Sequence, residues 1–235
     1  MLDVAVPRST MNPPLVDFFL NPLLGARRTS VPQGSVIYDQ SQPASSLYFI
    51  HRGQVRVFQP GPDDSAQLTD ILGPNDWVGA AALTGAASYG SRAVAVLPSI
   101  VSDIPVERVF ALLQQQPRAA AEMIKALASR LRQTREDAGR LIFDDCHTRL
   151  LRALLRFGRT TAASPHSAGV VLHVTHHELA QAIGVARETV SLTLKDLRDH
   201  GLIRTGRNHL IFAPLALEQQ LGLANGNGQP APVKA

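Results

Sequence analysis

The sequence predicts an α+β fold in which strands come first, one long helix follows, and two shorter helices precede a hairpin. Short β-branched and aromatic runs separated by glycines occupy residues 35–104, and many short, regularly spaced strands indicate a sandwich or roll. Apolar residues then recur every three or four positions from 124 to 141, the period of an amphipathic helix. Residues 175–212 contain a helix cap, a glycine turn and two strand-like runs.

The composition is that of a globular protein with a preference for polyanions. The chain has 235 residues, enough for two domains, of which 45% are hydrophobic and 18% charged. Its formal net charge of +4 favours a negatively charged partner such as nucleic acid. Because Cys146 is the only cysteine, neither an internal disulfide nor a cluster held by four thiolates can form.

The sequence predicts no membrane segment and no secretory signal. No run approaches the roughly 18–20 apolar residues that a membrane span needs. Prolines and Asp17 interrupt the N-terminus where a signal peptide would be apolar. We therefore expect a cytoplasmic protein.

A proline-punctuated segment, 1–30, precedes the predicted roll, which we place at 31–116. Each strand in that interval is a short β-branched or aromatic run, and glycines separate the runs. The predicted strands are 36–38, 47–50, 55–58, 68–72, 93–97 and 100–104.

A long helix is predicted over 117–143, with Pro117 at its first turn, where proline is well tolerated. Its apolar positions form a narrow seam, which favours a two-stranded coiled coil between two copies of the chain. A helix that packs only on its own roll would need a broader stripe. The predicted dimer interface is Ile124, Leu127, Leu131, Thr134, Ala138 and Leu141.

Two helices are predicted in the C-terminal domain, which we place at 144–223. Thr175 and Glu178 have the spacing of a capping box, so the first helix should start at Thr175. Gly184 should end it, because glycine adopts the left-handed conformation that a tight helix exit needs. The second helix is predicted over 186–200.

A hairpin should follow these helices, with strands at 202–203 and 209–212 around Gly206-Arg207-Asn208. Two helices joined by a glycine turn, followed by a hairpin, make a winged helix-turn-helix. One face of the second helix carries Arg187, Glu188 and Lys195, whose side chains can reach base edges and phosphates. A merely solvated polar face is the alternative.

A string of residues across these two helices carries a family resemblance. The string is Glu178-Leu179-Ala180, Ile183-Gly184, Arg187-Glu188-Thr189-Val190, Leu194, Leu197 and Gly201-Leu202-Ile203. It resembles the helix-turn-helix of the Crp/Fnr family of bacterial transcription regulators. Upstream, the pattern L-Y-F-I-x-x-G-x-V of residues 47–55 is similar to the cyclic-nucleotide-binding β-roll of that family.

The resemblance implies a homodimeric regulator that binds a palindromic operator in double-stranded DNA, contacts RNA polymerase and more often activates than represses transcription. Family members use an Arg-Glu pair, here Arg187-Glu188, and a further Arg one helical turn on. Leu192 stands at that last position. Because leucine contacts a thymine methyl rather than a guanine edge, we expect a different half-site.

Phosphate contacts are expected from the start of the first helix and from the wing. Ala186 stands where the family usually has a Ser or Thr cap, which removes one such contact. The predicted DNA-binding residues are Thr175, His177, Arg187, Glu188, Thr189, Ser191, Leu192, Lys195 and Arg207.

The effector pocket that the resemblance implies is altered. In cAMP-binding relatives a Gly-Glu pair holds the ribose and an Arg holds the cyclic phosphate. The matching residues here are Gly79-Ala80 and Arg92-Ala93, so the carboxylate is missing. Arg135 follows Thr134, which matches a threonine that contacts cAMP, where the relatives have serine. The candidate pocket is Gly79, Arg92, Ala93, Thr134 and Arg135.

We therefore expect no cAMP dependence and no cofactor, and Arg92 could either bind another anion or pair with a nearby carboxylate. Two alternatives remain at this stage. One is a ligand-gated sensor of the same fold that responds to a nucleotide or another small anion. The other is a β-roll regulatory subunit that docks on an enzyme.

Catalytic and metal motifs are not evident in the sequence. His173, His176, His177 and Cys146-His147 lack the spacing of a metal site, and no nucleophile elbow or phosphate-binding loop occurs. The sequence thus predicts neither an enzyme nor a metal site. The tail, 224–235, is rich in Gly, Asn, Pro and Ala and is expected to be disordered.

Overall fold

The structure, a computed structural model, describes residues 13–61, 65–140 and 144–223, with side chains for all of these except 13, 14 and 137–140. The predicted disordered tail and the last residues of the predicted long helix, Leu141 included, lie outside the described residues.

The described residues contain the predicted strands and helices in the predicted order, together with further helices and strands that the sequence did not predict. The helices are α1 (Pro13–Phe19), α2 (Val106–Gln115), α3 (Pro117–Arg140), α4 (Cys146–Gly158), α5 (His176–Ile183), α6 (Arg187–Asp199) and α7 (Pro214–Gln220). The strands are β1 (Arg27–Val31), β2 (Val36–Tyr38), β3 (Ser46–Arg52), β4 (Val55–Pro60), β5 (Ala66–Leu72), β6 (Trp77–Val78), β7 (Arg92–Ala95), β8 (Ser99–Pro105), β9 (Ser164–His166), β10 (Gly169–Leu172), β11 (Ile203–Gly206) and β12 (His209–Phe212).

The N-terminal domain is a β-roll of two four-stranded antiparallel sheets, ordered β1-β8-β3-β6 and β2-β7-β4-β5. Their inner faces bury one apolar core, in which the ring of Phe19 from α1 stacks on Phe49 of β3 with centroids 5.4 Å apart. All six predicted strands are present, although the fifth ends at Ala95. The α+β prediction and the roll are thus confirmed.

The boundary between N-terminal segment and roll, predicted at 30/31, is wrong. Strand β1 begins at Arg27 and pairs with β8 from Arg27↔Asp103 to Val31↔Ser99, and α1 packs into the roll core. The prediction failed because β1 is an edge strand of mostly exposed polar residues. Such a strand lacks the apolar alternation by which strands are recognised.

The long helix α3 begins at Pro117, as predicted, and is described as far as Arg140. Its first turns pack on the roll, where Ala119 and Met123 are buried. Further along, Arg130 pairs with Asp70 of β5 at 2.9 Å. The helix therefore uses one face to hold its own roll and leaves another face uncovered.

The C-terminal domain combines four helices with a sheet of order β11-β12-β10-β9. The winged helix-turn-helix is present with small shifts of its predicted bounds. The first wing strand begins at Ile203 rather than 202 and extends to Gly206, so the turn is Arg207-Asn208 alone. Asn208 has φ 59°, a conformation that asparagine tolerates better than most residues.

The two domains share an apolar core. Leu68 and Ile71 of β5 are buried in the same cluster as Leu154 of α4 and Leu179 of α5. The β4–β5 side of the roll therefore lies directly behind the first helix of the helix-turn-helix.

Candidate nucleic-acid interface

The capping box fixes the start of α5. The Glu178 N–H donates to Thr175 Oγ1 at 3.1 Å, and Glu178 Oε2 accepts from the Thr175 N–H at 2.7 Å. The Thr175 side chain thus binds the backbone of Glu178, and the Glu178 side chain binds the backbone of Thr175. This reciprocal pair is a capping box, and it confirms the predicted helix start. This arrangement places Thr175 and the exposed His177 at one end of the helix.

The turn between α5 and α6 depends on Gly184, which adopts φ 67° at the exit of α5. Ala186 then stands at the N-cap of α6 and makes no side-chain capping bond. A three-residue turn, 184–186, thus separates α5 from α6.

One face of α6 is exposed and the opposite face is buried. Val190, Leu194 and Leu197 are buried in the domain core. We call the opposite face the reading face; it consists of Arg187, Glu188, Thr189, Leu192 and Lys195, all exposed. Within the described residues, Arg187 and Lys195 form no ion pair, so both cations are available to an anionic partner. Leu192 is 70% exposed, so its side chain is accessible to an apolar group of a partner.

Ser191 differs from its predicted neighbours because its hydroxyl is already engaged. Ser191 Oγ donates to the Arg187 carbonyl at 3.0 Å and lies 2.9 Å from His176 Nδ1. The serine thereby ties α6 to the first turn of α5. Burial and the nearby Arg187 lower the pKa of His176, so the neutral imidazole is favoured in this contact.

The wing adds a second cation that the sequence analysis missed. Arg207 lies exposed at the turn, as predicted, and Arg204 lies exposed on β11 opposite Ile211. An alternating strand with Ile203 inward and Arg204 outward is the signal that would have identified it.

The candidate effector residues do not form one hydrogen-bonded site. Gly79 is buried at φ 93°, and Ala93 is buried beside Tyr38 in the β2–β7 register. Arg92 pairs instead with Asp39, with Nε 3.4 Å from Oδ2. Arg92 thus has a carboxylate partner directly after the end of the neighbouring strand β2.

Aromatic rings fill the space beside Ala93. Tyr38 and Tyr89 stack with centroids 4.0 Å apart, and the Tyr89 hydroxyl donates to the Ser46 carbonyl at 2.9 Å. Burial raises the pKa of Tyr38 to about 12. Both rings are therefore fixed by contacts within the roll.

The two candidate effector residues on α3 are exposed. Thr134 Oγ1 donates to the Arg130 carbonyl of its own helix at 3.0 Å, and Arg135 lies in solvent. Across the described parts of the chain, no hydrogen bond or ion pair joins either residue to Arg92.

Comparison with known proteins gives the family. Residues 28–116 match the cyclic nucleotide-binding domain family, and residues 148–219 match the Crp-like helix-turn-helix domain family. The cyclic AMP receptor protein of Thermus thermophilus is 30% identical over 200 residues, which cover 84% of this chain and 90% of that protein. The chain belongs to the CRP/FNR family of transcription regulators.

Other CRP/FNR-family relatives agree with this assignment. The CRP-like cAMP-activated global transcriptional regulator of Mycobacterium tuberculosis is 29% identical over 182 residues, covering 77% of this chain and 81% of the relative. A crystal structure of a CRP-family regulator from Thermus thermophilus superposes with a TM-score of 0.67 at 27% identity, covering 83% and 96% of the two chains. These relatives are transcription regulators rather than enzymes.

The CRP/FNR fold here leaves the predicted seam of α3 partly open. Ile124 is 67% exposed and Leu131 is 52% exposed. Leu127 differs, because it packs partly against the roll of its own chain. The side chain of Ala138 and all of Leu141 lie outside what the structure describes.

Two further expectations concern metals and membranes. Among the described residues, no group of three or more His, Cys, Asp or Glu side chains could hold a metal ion. No helix in the described part of the chain is long and apolar enough to cross a bilayer.

Proposed function

We propose that the protein is a homodimeric, sequence-specific regulator that binds a palindromic operator without requiring cAMP and activates transcription. The observation that carries this proposal is the reading face of α6, which is exposed and cationic and is supported from behind by a buried apolar face. DNA binding itself follows from the CRP/FNR helix-turn-helix.

Base readout rests on three side chains of the reading face. Arg187 can bind the O6 and N7 edge of a guanine, and Glu188 can accept from a cytosine amine. Leu192 offers only an apolar contact, which suits the methyl group of a thymine. The operator half-site therefore contains a thymine where relatives with an Arg at this position would select guanine.

Phosphate contacts come from both sides of the reading face. Thr175 and His177 stand at the start of α5, while Arg204 and Arg207 stand on the wing. Such contacts fix the register of the protein on DNA without selecting sequence. They also make binding steeply dependent on salt.

A dimer is supported by the exposed apolar positions of α3. Ile124 and Leu131 expose large apolar side chains seven residues apart on one helix, the spacing of a coiled-coil seam. Pairing two such helices sets two copies of α6 about 34 Å apart, so a palindromic operator is read in successive major grooves.

Independence from cAMP is supported by the altered roll. Ala80 offers no carboxylate to a ribose, Arg92 is paired with Asp39, and the Tyr38–Tyr89 stack occupies the neighbouring space. We infer that this chain reaches its DNA-binding state with no cofactor.

Activation and contact with RNA polymerase rest on the family alone, since relatives include regulators named as cAMP-activated global transcriptional regulators. A transcription assay on the selected operator, with purified polymerase, tests this part. Activation requires more transcript with the protein than without it; less transcript would make the protein a repressor.

Selection of random duplexes by the purified protein, with and without cAMP, tests operator and gating together. We expect enrichment of a palindrome in both arms, with the same sequence and affinity. Enrichment only with cAMP would contradict independence. Equal binding to the enriched palindrome and to scrambled DNA would contradict sequence-specific recognition.

A ligand-gated sensor is the second candidate, favoured by one observation. Arg92 is 53% exposed and its ion pair with Asp39 is long, at 3.4 Å, so an anion could compete for the guanidinium. Calorimetry with cAMP, cGMP and inorganic phosphate decides this candidate. A ligand gate would be supported if one of these anions released binding heat with wild type but not with Arg92→Gln, and if the same anion made wild type bind the operator more tightly.

The enzyme-docking alternative predicts a different response to salt. A protein that holds phosphates loses DNA affinity linearly on a log–log plot against salt. No duplex binding at low salt would favour a docking module instead.

A further inference from the structure

One arginine of the roll is buried at the border with the DNA-binding domain. Arg56 lies on β4 and its side chain is only 2% exposed. Charged side chains are almost never buried to this extent unless they are paired. The position of Arg56 therefore requires an explanation in terms of what it holds.

Arg56 contacts the start of α5 through two of its nitrogens. Nε donates to Glu178 Oε1 at 3.1 Å, and Nη2 donates to the backbone carbonyl of His173. Both acceptors belong to the DNA-binding domain, and Glu178 is the residue that closes the capping box. Arg56 therefore reaches across the domain border to the end of α5 that faces DNA in our proposal.

The carboxylate of Glu178 is shared between the cap and the roll. Its Oε2 accepts from the N–H of Thr175 at 2.7 Å and from Thr175 Oγ1 at 2.9 Å. Its Oε1 accepts from Arg56. A displacement of the roll thus acts directly on the residue that orients Thr175.

Neighbouring contacts hold the same border along its length. Gln54 Nε2 donates to the Ala162 carbonyl at 2.9 Å, and the Gly73 N–H donates to Thr161 Oγ1 at 3.1 Å. A Cβ on Gly73 would lie 2.5 Å from the carbonyl of Thr161, so the two backbones meet at a separation that only glycine permits. The border is a fitted surface rather than a single ion pair.

Glu178 compensates the buried charge of Arg56. Burial lowers the pKa of Arg56, and Glu178 opposes that effect. Within the described residues, Glu178 is the carboxylate that pairs with it. Removing one partner of a buried pair strands the other charge, whereas removing both does not.

The docked arrangement leaves the DNA-binding residues open. His177 and the whole reading face of α6 are exposed while Arg56 is engaged. The roll lies behind α5 and covers none of these side chains. This arrangement is therefore compatible with DNA binding.

We propose that Arg56 is a positioning residue for DNA binding: through Glu178 it holds the DNA-binding domain on the roll in the orientation that reads the operator. This inference rests on the proposed function. Losing the contact lets the domain occupy other orientations, and the apparent affinity falls by the fraction that remains competent.

Replacing Arg56 with Met in the full chain tests the proposal, because Met keeps the stem and removes the charge. If about a tenth of molecules stay docked, operator affinity falls roughly tenfold. We expect that loss in fluorescence anisotropy with an unchanged salt slope, because the docked fraction still makes the same phosphate contacts. Amide hydrogen exchange at 175–179 should also become faster.

A double substitution separates positioning from simple damage to the fold. Glu178→Gln keeps a capping-box residue but strands the buried Arg56, so we expect it to weaken operator binding more than Arg56→Met does. Adding Arg56→Met to Glu178→Gln removes the stranded charge and should recover part of the affinity. Arg56→Lys keeps a charge and should fall between wild type and Arg56→Met.

The exposed Arg159–Glu218 pair provides the matched control. Its atoms are 2.5 Å apart and Arg159 is 61% exposed. Arg159→Met therefore removes an ion pair that lies on the surface, and we expect operator affinity within about twofold of wild type.

Three results would overturn the proposal. Operator affinity of Arg56→Met equal to wild type would show that the contact only stabilises the fold, and tighter binding would show that the roll restrains the domain. If wild type selects no duplex at all, the proposed function fails and this inference fails with it. If wild type selects a duplex and Arg56→Met binds that duplex with the same affinity, only the inference about Arg56 fails and the proposed function stands.

Discussion

Arg187 of the DNA-binding domain and Arg92 of the roll are both residues that the family resemblance assigns to ligand contacts, and the structure places them in opposite situations. Arg187 stands on an exposed helix face and, among the described residues, pairs with no carboxylate. Arg92 is paired with Asp39, beside a tyrosine stack and an alanine at the carboxylate position. The part of the fold that binds DNA is ready for its ligand, whereas the part that would bind an effector is satisfied internally.

This difference teaches that an arginine at a family ligand position can be exposed in one domain and paired within the protein in the other. DNA binding requires an exposed cationic helix and a fixed partner helix. A cAMP-type input needs a free arginine and a carboxylate for the ribose, whereas in this roll Arg92 is paired with Asp39 and Ala80 stands at the carboxylate position. Four predictions test this difference, beginning with the largest effect.

Breaking the dimer should remove most operator affinity. Leu131→Asp places a charge in the exposed seam of α3, and a single domain then binds one half-site without the gain of linkage. That gain is commonly 10²–10⁴-fold, so we expect a loss of at least about 100-fold. Sedimentation velocity measures the oligomeric state, and fluorescence anisotropy measures the operator affinity.

Leu215→Asp is the control for that substitution, because Leu215 is 60% exposed on α7, away from the seam. It should leave both the dimer and the affinity in place. If Leu131→Asp remains dimeric and keeps wild-type affinity, the dimer contact does not include Leu131. The contrast drawn between the DNA-binding domain and the roll would then be weaker.

Removing Arg187 should relax specificity at one base pair in each half-site. Arg187→Ala is expected to lose about 1–3 kcal/mol per half-site, measured by competition with operators that vary at a single position. Arg204→Ala should weaken all sequences alike and reduce the salt slope. Equal discrimination by Arg187→Ala and wild type would show that another residue reads that base.

Leu192 should distinguish thymine from uracil. Replacing the contacted thymine by uracil removes one methyl group, worth about 0.8 kcal/mol when buried, so affinity should fall roughly fourfold. Leu192→Ala should lose most of this difference, while Arg187→Ala retains it. The idea fails if wild type binds the two duplexes equally at every thymine of the half-site.

The smallest expected effect is a pH dependence of stability that arises from the contact between His176 of α5 and Ser191 of α6. The pKa of His176 is lowered by burial and by Arg187, so the unfolded chain takes up this proton more readily than the folded chain. The free energy of unfolding should therefore fall as pH drops below about 6.5, the ordinary histidine value. If His176→Gln has a lower melting temperature than wild type at neutral pH, the difference between the two melting temperatures should shrink as the pH falls.

A difference between the two melting temperatures that does not change between pH 7.5 and 5 would show that His176 does not titrate in this way. Such a result would leave the DNA-binding domain insensitive to mild acid at this contact.

Local patterns were enough to predict much of the fold. The capping box of Thr175 and Glu178 and the exit at Gly184 are specified within ten residues of each other, and the structure confirms both. The apolar strands of the roll were predicted for the same reason, since alternation is a local signal. The polar strands β1 and β9 carry no such signal and were missed.

The site was less predictable where its parts lie far apart in sequence. Arg56 and Glu178 are separated by 122 positions, and nothing near either residue indicates the other. The partner of Arg92 and the engagement of Ser191 also depend on tertiary contacts. Residue type and helical spacing predicted which side chains face outward on α6, but not which of them were already bonded within the protein.

The burial of Leu68 and Ile71 among the side chains of the C-terminal domain bears on attempts to use that domain by itself. A fragment that begins at residue 144 would lack Leu68 and Ile71, which cover part of the apolar core of the C-terminal domain. The fragment would therefore expose an apolar patch to water, and such a patch favours aggregation. Replacing the newly bared residues with polar ones, or retaining the β4–β5 hairpin as a grafted cover, would be necessary before such a fragment could serve as an autonomous DNA-reading module.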